Sequence, residues 1–527
     1  MQHNYFFKSI LKALLSLLFL ITSNGFSQKT EGKLIFSNYF EKQLPESEGI
    51  QSKSILSFIT EIESEIDELH SFMILKNAKN IASGWWSPYA PEIPHLMHSL
   101  SKSFTSTAIG LGIDEGLLEL NDRVISFFPE YNSDQIDPKF KEMRIRDLLT
   151  MTTGHKIEIN PSVTQENDWV KLFINTKLDY LPGNYYKYNS YATYMLSAII
   201  KKVSSESLVD FLNSRLFLPL EIEKPYWEKS PKGLNVGGWG LKIKTEDIAK
   251  FGQLFLQNGE WEGKQIISRD WVKMATAKQV NNSATQWNVD WKQGYGFQFW
   301  KNRFNSYRGD GAFGQYCIVL PKHEMVIAIT GSVKNMQKVL DIFWKEIYSK
   351  ISDKNNDIID IESQKKLNQK LLTLKINSHN KEDIKIKSKT ELGKTYFINN
   401  NDFGITSIQI KKTDNGYQLN INSTSGIEKI LVEKDDYFNM NLLNFNFIDN
   451  YSNGSLGDYK KLKNKLTPIA SNGYWSEENT YSMKILFLDN TASANLDFSF
   501  DENEIEIEIV LKGVFGLKNL FKLSGSI

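Results

Sequence analysis

The chain has 527 residues, enough for two or three domains at roughly 150 residues each. Its 62 Lys and Arg balance 62 Asp and Glu, so no net field recommends a nucleic acid or an anionic membrane surface as partner. One cysteine, Cys317, excludes an intramolecular disulfide, a cysteine-cluster metal site and a cysteine-anchored lipid near the N-terminus; in "FGQYCIVLP" it reads as a buried strand residue.

Residues 1–27 join a basic Lys8, an apolar run from Ala13 to Ile21 and small residues at Gly25 and Ser27, the pattern of a secretory signal peptide. The run is shorter than the ~20 residues a permanent span needs. An exported protein, periplasmic or extracellular, with no stable membrane span after cleavage is therefore expected. Next, "HSFMILK" and "NIASGWW" predict a strand hairpin around a turn at Asn77 to Asn80.

"MHSLSKSFTSTAIG" (Met97 to Gly110) then opens a helix with Ser99 and Lys102 on one face. Its following turns are apolar or small, which predicts burial. A buried lysine loses hydration and can become a base able to take a serine proton. The spacing alone also fits an N-cap serine followed by a solvated lysine, and the same S-x-x-K recurs at Ser9, Ser363 and Ser378.

Further along, "RIRDLLTMTTG" reads as a helix ending at Gly154, and "YATYMLSAIIKKV" as a second helix with basic residues at its C-terminal end. Just before the second, "LPGNYYKYNS" places Tyr188 in a loop. A phenol near a Ser-Lys pair can shuttle a proton; alone, it equally fits an aromatic packed under a loop. "KTEDIAKFGQLFLQNG" predicts a helix with Thr245 as N-cap. "QYCIVLP" and "MVIAITG" read as apolar strands around a turn at Pro321 to Glu324, and "VLDIFWKEIYSK" as a terminal helix. Strands at both ends with helices between predict an α+β domain over 28–350. Residues 351–389 turn to Lys, Asn and Asp and read as a hydrated linker around a short helix. From 390 to 527, "SIQIKK", "YQLNIN", "NFNFID" and "EIEIEIVLK" alternate apolar and polar residues, which predicts a separate antiparallel all-β domain. It shows no ligand motif and is expected to be a structural companion, with a carbohydrate or cell-wall binding module as the alternative.

Five segments in order, "HSLSKSFTSTAIGLGIDEGLLELNDRV", "RIRDLLTMTTGH", "PGNYYKYNS", "GGWGLKIKTEDIAKFGQLFLQNGEWEGKQII" and "GDGAFGQYCIVLPKHEMVIAITGS", resemble the penicillin-binding-protein-like serine hydrolases. That group contains class C β-lactamases, D-alanyl-D-amino-acid peptidases and related esterases. The resemblance implies a β-lactamase/transpeptidase-like fold, with Ser99 as acylated nucleophile, Lys102 as its base and Tyr188 as proton-transfer partner. It places the oxyanion donors at the backbone N–H of Ser99 and near Gly311 and Ala312. It implies no metal and no cofactor.

Two departures bear on substrate. The family's Tyr-x-Asn reads Tyr188-Asn189-Ser190, so a hydroxyl replaces an amide unless Asn189 turns inward. The usual Lys-Thr-Gly or His-x-Gly reads Gly309-Asp310-Gly311, with no cation at its head and Arg308 as the nearby replacement. Asn189, Ser190, Asp310 and Gly311 are thus the expected substrate contacts, and Asp310 fits a cationic or neutral ligand or else a turn. The expected substrate is an ester, amide or short peptide, possibly of D-amino acids, rather than a β-lactam. His98 and His155 read as structural residues near the site. Trp85, Trp86, Trp239, Trp291 and Trp300 are candidates for an aromatic cleft or for the core. A non-turnover penicillin-binding or cell-wall-binding module is the alternative on this fold.

Overall fold

The computed structural model describes residues 39–159, 166–352, 360–376, 392–414, 416–424, 426–434, 438–444, 466–512 and 518–527. The leader expected over 1–27 lies outside them, as do most of the two hydrated stretches around residue 360 and all of "NFNFID" but Asn444. No helix among the described residues is long and apolar enough to cross a membrane.

Helix α1 (Ser52–Glu65) leads into the hairpin β1 (Leu69–Lys76) and β2 (Lys79–Trp85). The helices α2 (Ser101–Asp114), α3 (Ser190–Ser204) and α4 (Thr245–Leu256) follow. The chain returns through β3 (Trp300–Lys301), β4 (Tyr307–Gly311), β5 (Gln315–Leu320) and β6 (Met325–Gly331) to α5 (Met336–Glu346). The six strands form one antiparallel sheet, β2-β1-β6-β5-β4-β3. Its first and last segments thus pair at the centre, Ile74 opposite Ile327.

Helices cover both faces, which is why these strands read as unbroken apolar runs rather than as alternation. Phe72, Ile74, Ile318 and Ile327 share a core with Phe58 of α1 and Phe343 of α5. Met73, Val319, Val326 and Ala328 point the other way, into the core that holds α2, α3 and α4. Cys317 lies on that side, and burial pushes its thiol up to about 12.

Helix α2 is buried from Ser101 through Gly112. A central helix of this kind cannot leave polar groups unpaired, and its hydroxyls bond to neighbouring backbone: Ser103 to the Gln298 carbonyl at 2.9 Å, Ser106 to that of Phe297 at 2.7 Å, Thr105 to that of Gly237 at 2.8 Å. Phe104 stacks on Phe251 of α4 at 3.9 Å between centroids.

Two helix expectations shift. The segment from Arg144 is helical only over Ile145–Leu149, because the chain turns at Met151, whose φ is 59°. At α4 the N-cap is Lys244, whose N–H is held by the Asp247 carboxylate at 3.0 Å, while the Thr245 hydroxyl bonds Ser71 instead.

The helix expected in the linker, α6 (Ile361–Leu372), packs on α1 and β2 rather than standing in solvent. Its apolar face supplies Leu367, and Leu374 and Ile376 continue into the same core. Among the described residues the ten strands beyond are β7 (Thr395–Ile398), β8 (Ile405–Lys412), β9 (Gly416–Ser423), β10 (Gly426–Lys434), β11 (Asn439–Asn444), β12 (Leu466–Trp475), β13 (Thr480–Phe487), β14 (Ser493–Asp501), β15 (Glu504–Lys512) and β16 (Lys518–Ser526). They form one sheet, β10-β9-β8-β7-β16-β15-β14-β13-β12-β11, which curls until β10 meets β12 at Glu433 opposite Asn472. Ile505, Ile507 and Ile509 face its interior while Glu504 and Glu506 face out, the period-two pattern of a half-buried strand. Ala470, Leu486 and Leu488 pack into the α1/α5 core, so this domain is anchored on the first.

Phe104→Ala is expected to cost about 3–5 kcal/mol, the usual penalty for deleting a buried phenylalanine. Urea unfolding of wild type and variant checks it.

Candidate active site

Ser99 lies in the single 3-10 turn His98–Leu100 that feeds α2. One turn on, Lys102 is 1% exposed and its Nζ lies 3.0 Å from Ser99 Oγ, 3.2 Å from Ser190 Oγ and 2.6 Å from the Gly238 carbonyl. Burial lowers the Lys102 ammonium from its ordinary 10.5 to about 7, against the opposing pull of the Glu158 and Asp310 carboxylates. The Tyr188 ring lies 4.8 Å from Nζ, and Tyr188 lines the same cleft as Ser99. Burial, reinforced by the Asp310 charge, raises the Tyr188 phenol far above its usual range. The ring is fixed by stacking on Trp300 at 5.7 Å.

Glycines bring the backbone this close. A Cβ on Gly238 would sit 2.6 Å from the Ser190 carbonyl oxygen, so only glycine there lets its own carbonyl reach Lys102. On β4, a Cβ on Gly311 would lie 2.1 Å from the Met97 carbonyl oxygen, and one on Gly309 2.4 Å from Leu100 Cδ1. Gly311 therefore serves close approach to the turn that carries Ser99. Between them Asp310 points the other way and lines the cleft.

The cleft above Ser99 has a volume of about 730 Å³. Ser99, Tyr188, Ser190, Asp310 and Ala312 all line it. Asn189 does not: it is fully buried, and its Oδ1 accepts from the N–H groups of Tyr191 and Ala192, capping α3. The expected substrate contact is thus a helix cap. Asp310 is not in a turn but mid-strand, 2.8 Å from Arg308 Nε. Arg308 is fully buried, bonded also to the Asp290 carbonyl and Asn302, so it does not stand in for the missing cation.

Trp239, Trp291 and Trp300 line the cleft, whereas Trp86 packs in the α1/α5 core with its Nε1 on Glu63, and Trp85 lies at the end of β2. His98 is also in the wall, but His155 is buried beside Thr153, and burial lowers its imidazole to about 4. Sequence reasoning missed Glu158, whose carboxylate accepts the Ser190 N–H at 2.6 Å and faces the cleft. Nothing in "HKIEI" marks it, since its role comes from a loop crossing over α3. Among the described residues no cluster of His, Cys, Asp or Glu could hold a metal ion.

A family model described as Beta-lactamase matches residues 69–339, more than half of the chain. The chain belongs to the β-lactamase family. This β-lactamase-family hydrolase is 22% identical over 308 residues to a 6-aminohexanoate-dimer hydrolase of Paenarthrobacter ureafaciens, covering 53% of this chain and 76% of that protein. It is 25% identical over 176 residues to a β-lactamase of Escherichia coli K12, covering 29% of this chain and spanning about half (46%) of that relative's length. Among solved structures it aligns with an octameric penicillin-binding protein homologue from Pyrococcus abyssi, at 14% identity and a TM-score of 0.46, covering 90% of this chain and 99% of that one.

The depressed lysine has a thermodynamic signature in the hydrolase. Between pH of about 7 and 10.5 the unfolded chain binds the Lys102 proton and the folded one does not, so this group makes stability rise with pH across that window. Lys102→Met should raise stability at pH 7 and flatten that rise relative to wild type, read as urea midpoints at pH 7 and 9.5.

Proposed function

We propose that this β-lactamase-family enzyme is an exported acyl-transfer hydrolase that cleaves an ester, amide or short peptide through an acyl-enzyme on Ser99. The observation that carries the reading is the buried Lys102 amine 3.0 Å from the Ser99 hydroxyl at the floor of the cleft. Held near 7, Lys102 is substantially neutral at physiological pH and can take the Ser99 proton as Oγ attacks the substrate carbonyl. The backbone N–H groups of Ser99 and Ala312 are the proposed donors to the oxyanion. The Tyr188 phenol keeps its proton at neutral pH, which suits it to relay a proton to the leaving group rather than to serve as the base. Once the proton taken from Ser99 has passed through Tyr188 to the leaving group, Lys102 is neutral again; water attacks the acyl carbon, Lys102 takes its proton, and that proton passes to Ser99 Oγ as the acyl–oxygen bond breaks and the acid leaves. The signal-like leader of residues 1–27 supports export.

The walls favour acyl groups that are neutral or cationic. Glu158 presents a carboxylate, the Asp310 carboxylate is matched by buried Arg308, aromatic faces come from Trp239, Trp291 and Trp300, and the position that heads the third motif is Gly309. The name of the Paenarthrobacter relative, a 6-aminohexanoate-dimer hydrolase, supports a hydrolytic reaction.

Intact mass after incubation with a fluorophosphonate, a labelled penicillin and p-nitrophenyl esters tests the reading. A Ser99-dependent adduct with ester turnover is expected, abolished in Ser99→Ala, and activity retained by Ser99→Ala would sink the assignment. Stoichiometric labelling without release would favour a penicillin-binding module instead. Lys102→Ala should lose at least ~100-fold in kcat/KM, the scale of a lost general base. In wild type, kcat/KM should climb with pH through an apparent pKa near 7 as Lys102 gives up its proton. A profile flat from pH 5 to 9 would exclude Lys102 as the base.

A further inference from the structure

The residue before the nucleophile is held from an unexpected distance. His98 has a φ of 45°, left-handed backbone that a non-glycine residue adopts only when its surroundings hold it there. Its Nε2 lies 3.0 Å from Thr491 Oγ1, a contact between residues 393 positions apart. Thr491 belongs to the turn between β13 and β14 of the C-terminal β domain. Its other side is tied down as well, because the Ser332 hydroxyl donates to its carbonyl at 2.9 Å.

The same turn grips the segment that precedes Ser99. The Leu96 N–H donates to the Asp489 carbonyl at 2.9 Å, while the Asp489 carboxylate pairs with Lys242. Lys242 lies on the short strand Leu241–Ile243, which itself pairs with His95–Leu96 and accepts the Met97 N–H at 2.8 Å. Residues 95–98 are therefore clamped between that strand and the β-domain turn. A second link runs from Lys484 of β13 to Glu68 at 3.6 Å, on to His70 at 3.0 Å and to His95 at 2.8 Å. Leu488, the first residue of the turn, is 1% exposed in the α1/α5 core, and Asp489 and Thr491 are also buried. This is a built contact rather than a surface touch.

We infer that the turn 488–491 is a working part of the active site and that Thr491 is a positioning residue, acting through His98 to set the backbone of Ser99. The inference rests on Ser99 being the nucleophile. It gives the β domain a role in the rate of acylation, beyond that of a structural companion. The Ser99 N–H is both the proposed oxyanion donor and the atom that moves if His98 relaxes from its left-handed conformation, so the loss should fall on the chemical step rather than on binding.

The full-length protein carries the test. Wild type, Thr491→Val, Thr491→Ser, His98→Ala and the His98→Ala/Thr491→Val double variant are titrated with a fluorophosphonate, and the acylation rate and kcat are taken per labelled Ser99. Thr491→Val, close to isosteric but unable to bond His98, should slow both about tenfold with KM nearly unchanged, the scale of one hydrogen bond. Thr491→Ser should recover most of the rate. On the His98→Ala background the valine should add no further loss, since the interaction it removes is already gone.

An unchanged rate per labelled site in Thr491→Val overturns the inference, even where the variant is less thermostable, because a merely structural contact would lower only the labelled fraction. Equal losses with and without His98 also overturn it. Wild type that turns over substrate but is not labelled at Ser99 fails the nucleophile reading itself, and the inference with it.

Discussion

The site depends on one lysine amine buried without a contacting carboxylate. Lys102 touches two hydroxyls and a carbonyl, and the nearest acids, Glu158 and Asp310, act on it only through space. A direct ion pair would hold the ammonium charged and useless as a base; hydroxyls and a carbonyl let it lose its proton near neutrality. Keeping a lysine in such surroundings costs folding free energy, and the apolar core around α2, α3 and α4 offsets it. The features around the lysine follow from that requirement. Helix α2 is small-residued and buried so that water stays off Nζ, and Gly237-Gly238 brings a carbonyl where a side chain could not pass.

Much of this was legible in the sequence because its signals are local. Ser99 and Lys102 share a helix face by spacing alone, the apolar strands announce a sheet covered on both sides, and "EIEIEIVLK" states its own alternation. Tyr188 needed the ordered company of five segments, since nothing local distinguishes it from Tyr186 two residues earlier, which is buried next to Tyr295. What stayed hidden is set by tertiary contact. Asn189 looked like a ligand contact and is a helix cap, a choice made by rotation about one side chain. Glu158 and Thr491 reach the site from segments with no motif, and the apolar face of α6 was masked by the Lys- and Asn-rich composition around it.

The two domains meet in a way composition could not reveal. A boundary read from hydrated residues suggests independent bodies on a tether. The chain instead runs α6 along α1 and β2, lays Leu486 and Leu488 into the core beneath the sheet, and sends a turn to the strand before Ser99. The core of the first domain and the turn that carries Ser99 are thereby in direct contact with the second.

The alternation of β4 has a consequence for how this scaffold can change. Gly309 and Gly311 face the turn that carries Ser99 with no room for a methyl group, whereas Asp310 between them faces the cleft. The strand is thus packed tight on one side and held by an ion pair on the other. Position 310 is nonetheless tied to what lies behind it, because the Asp310 carboxylate pairs with the fully buried Arg308 at 2.8 Å and bears through space on Lys102, so a substitution there strands a buried cation and shifts the amine beside Ser99. A change of charge on this strand therefore has to be matched at Arg308.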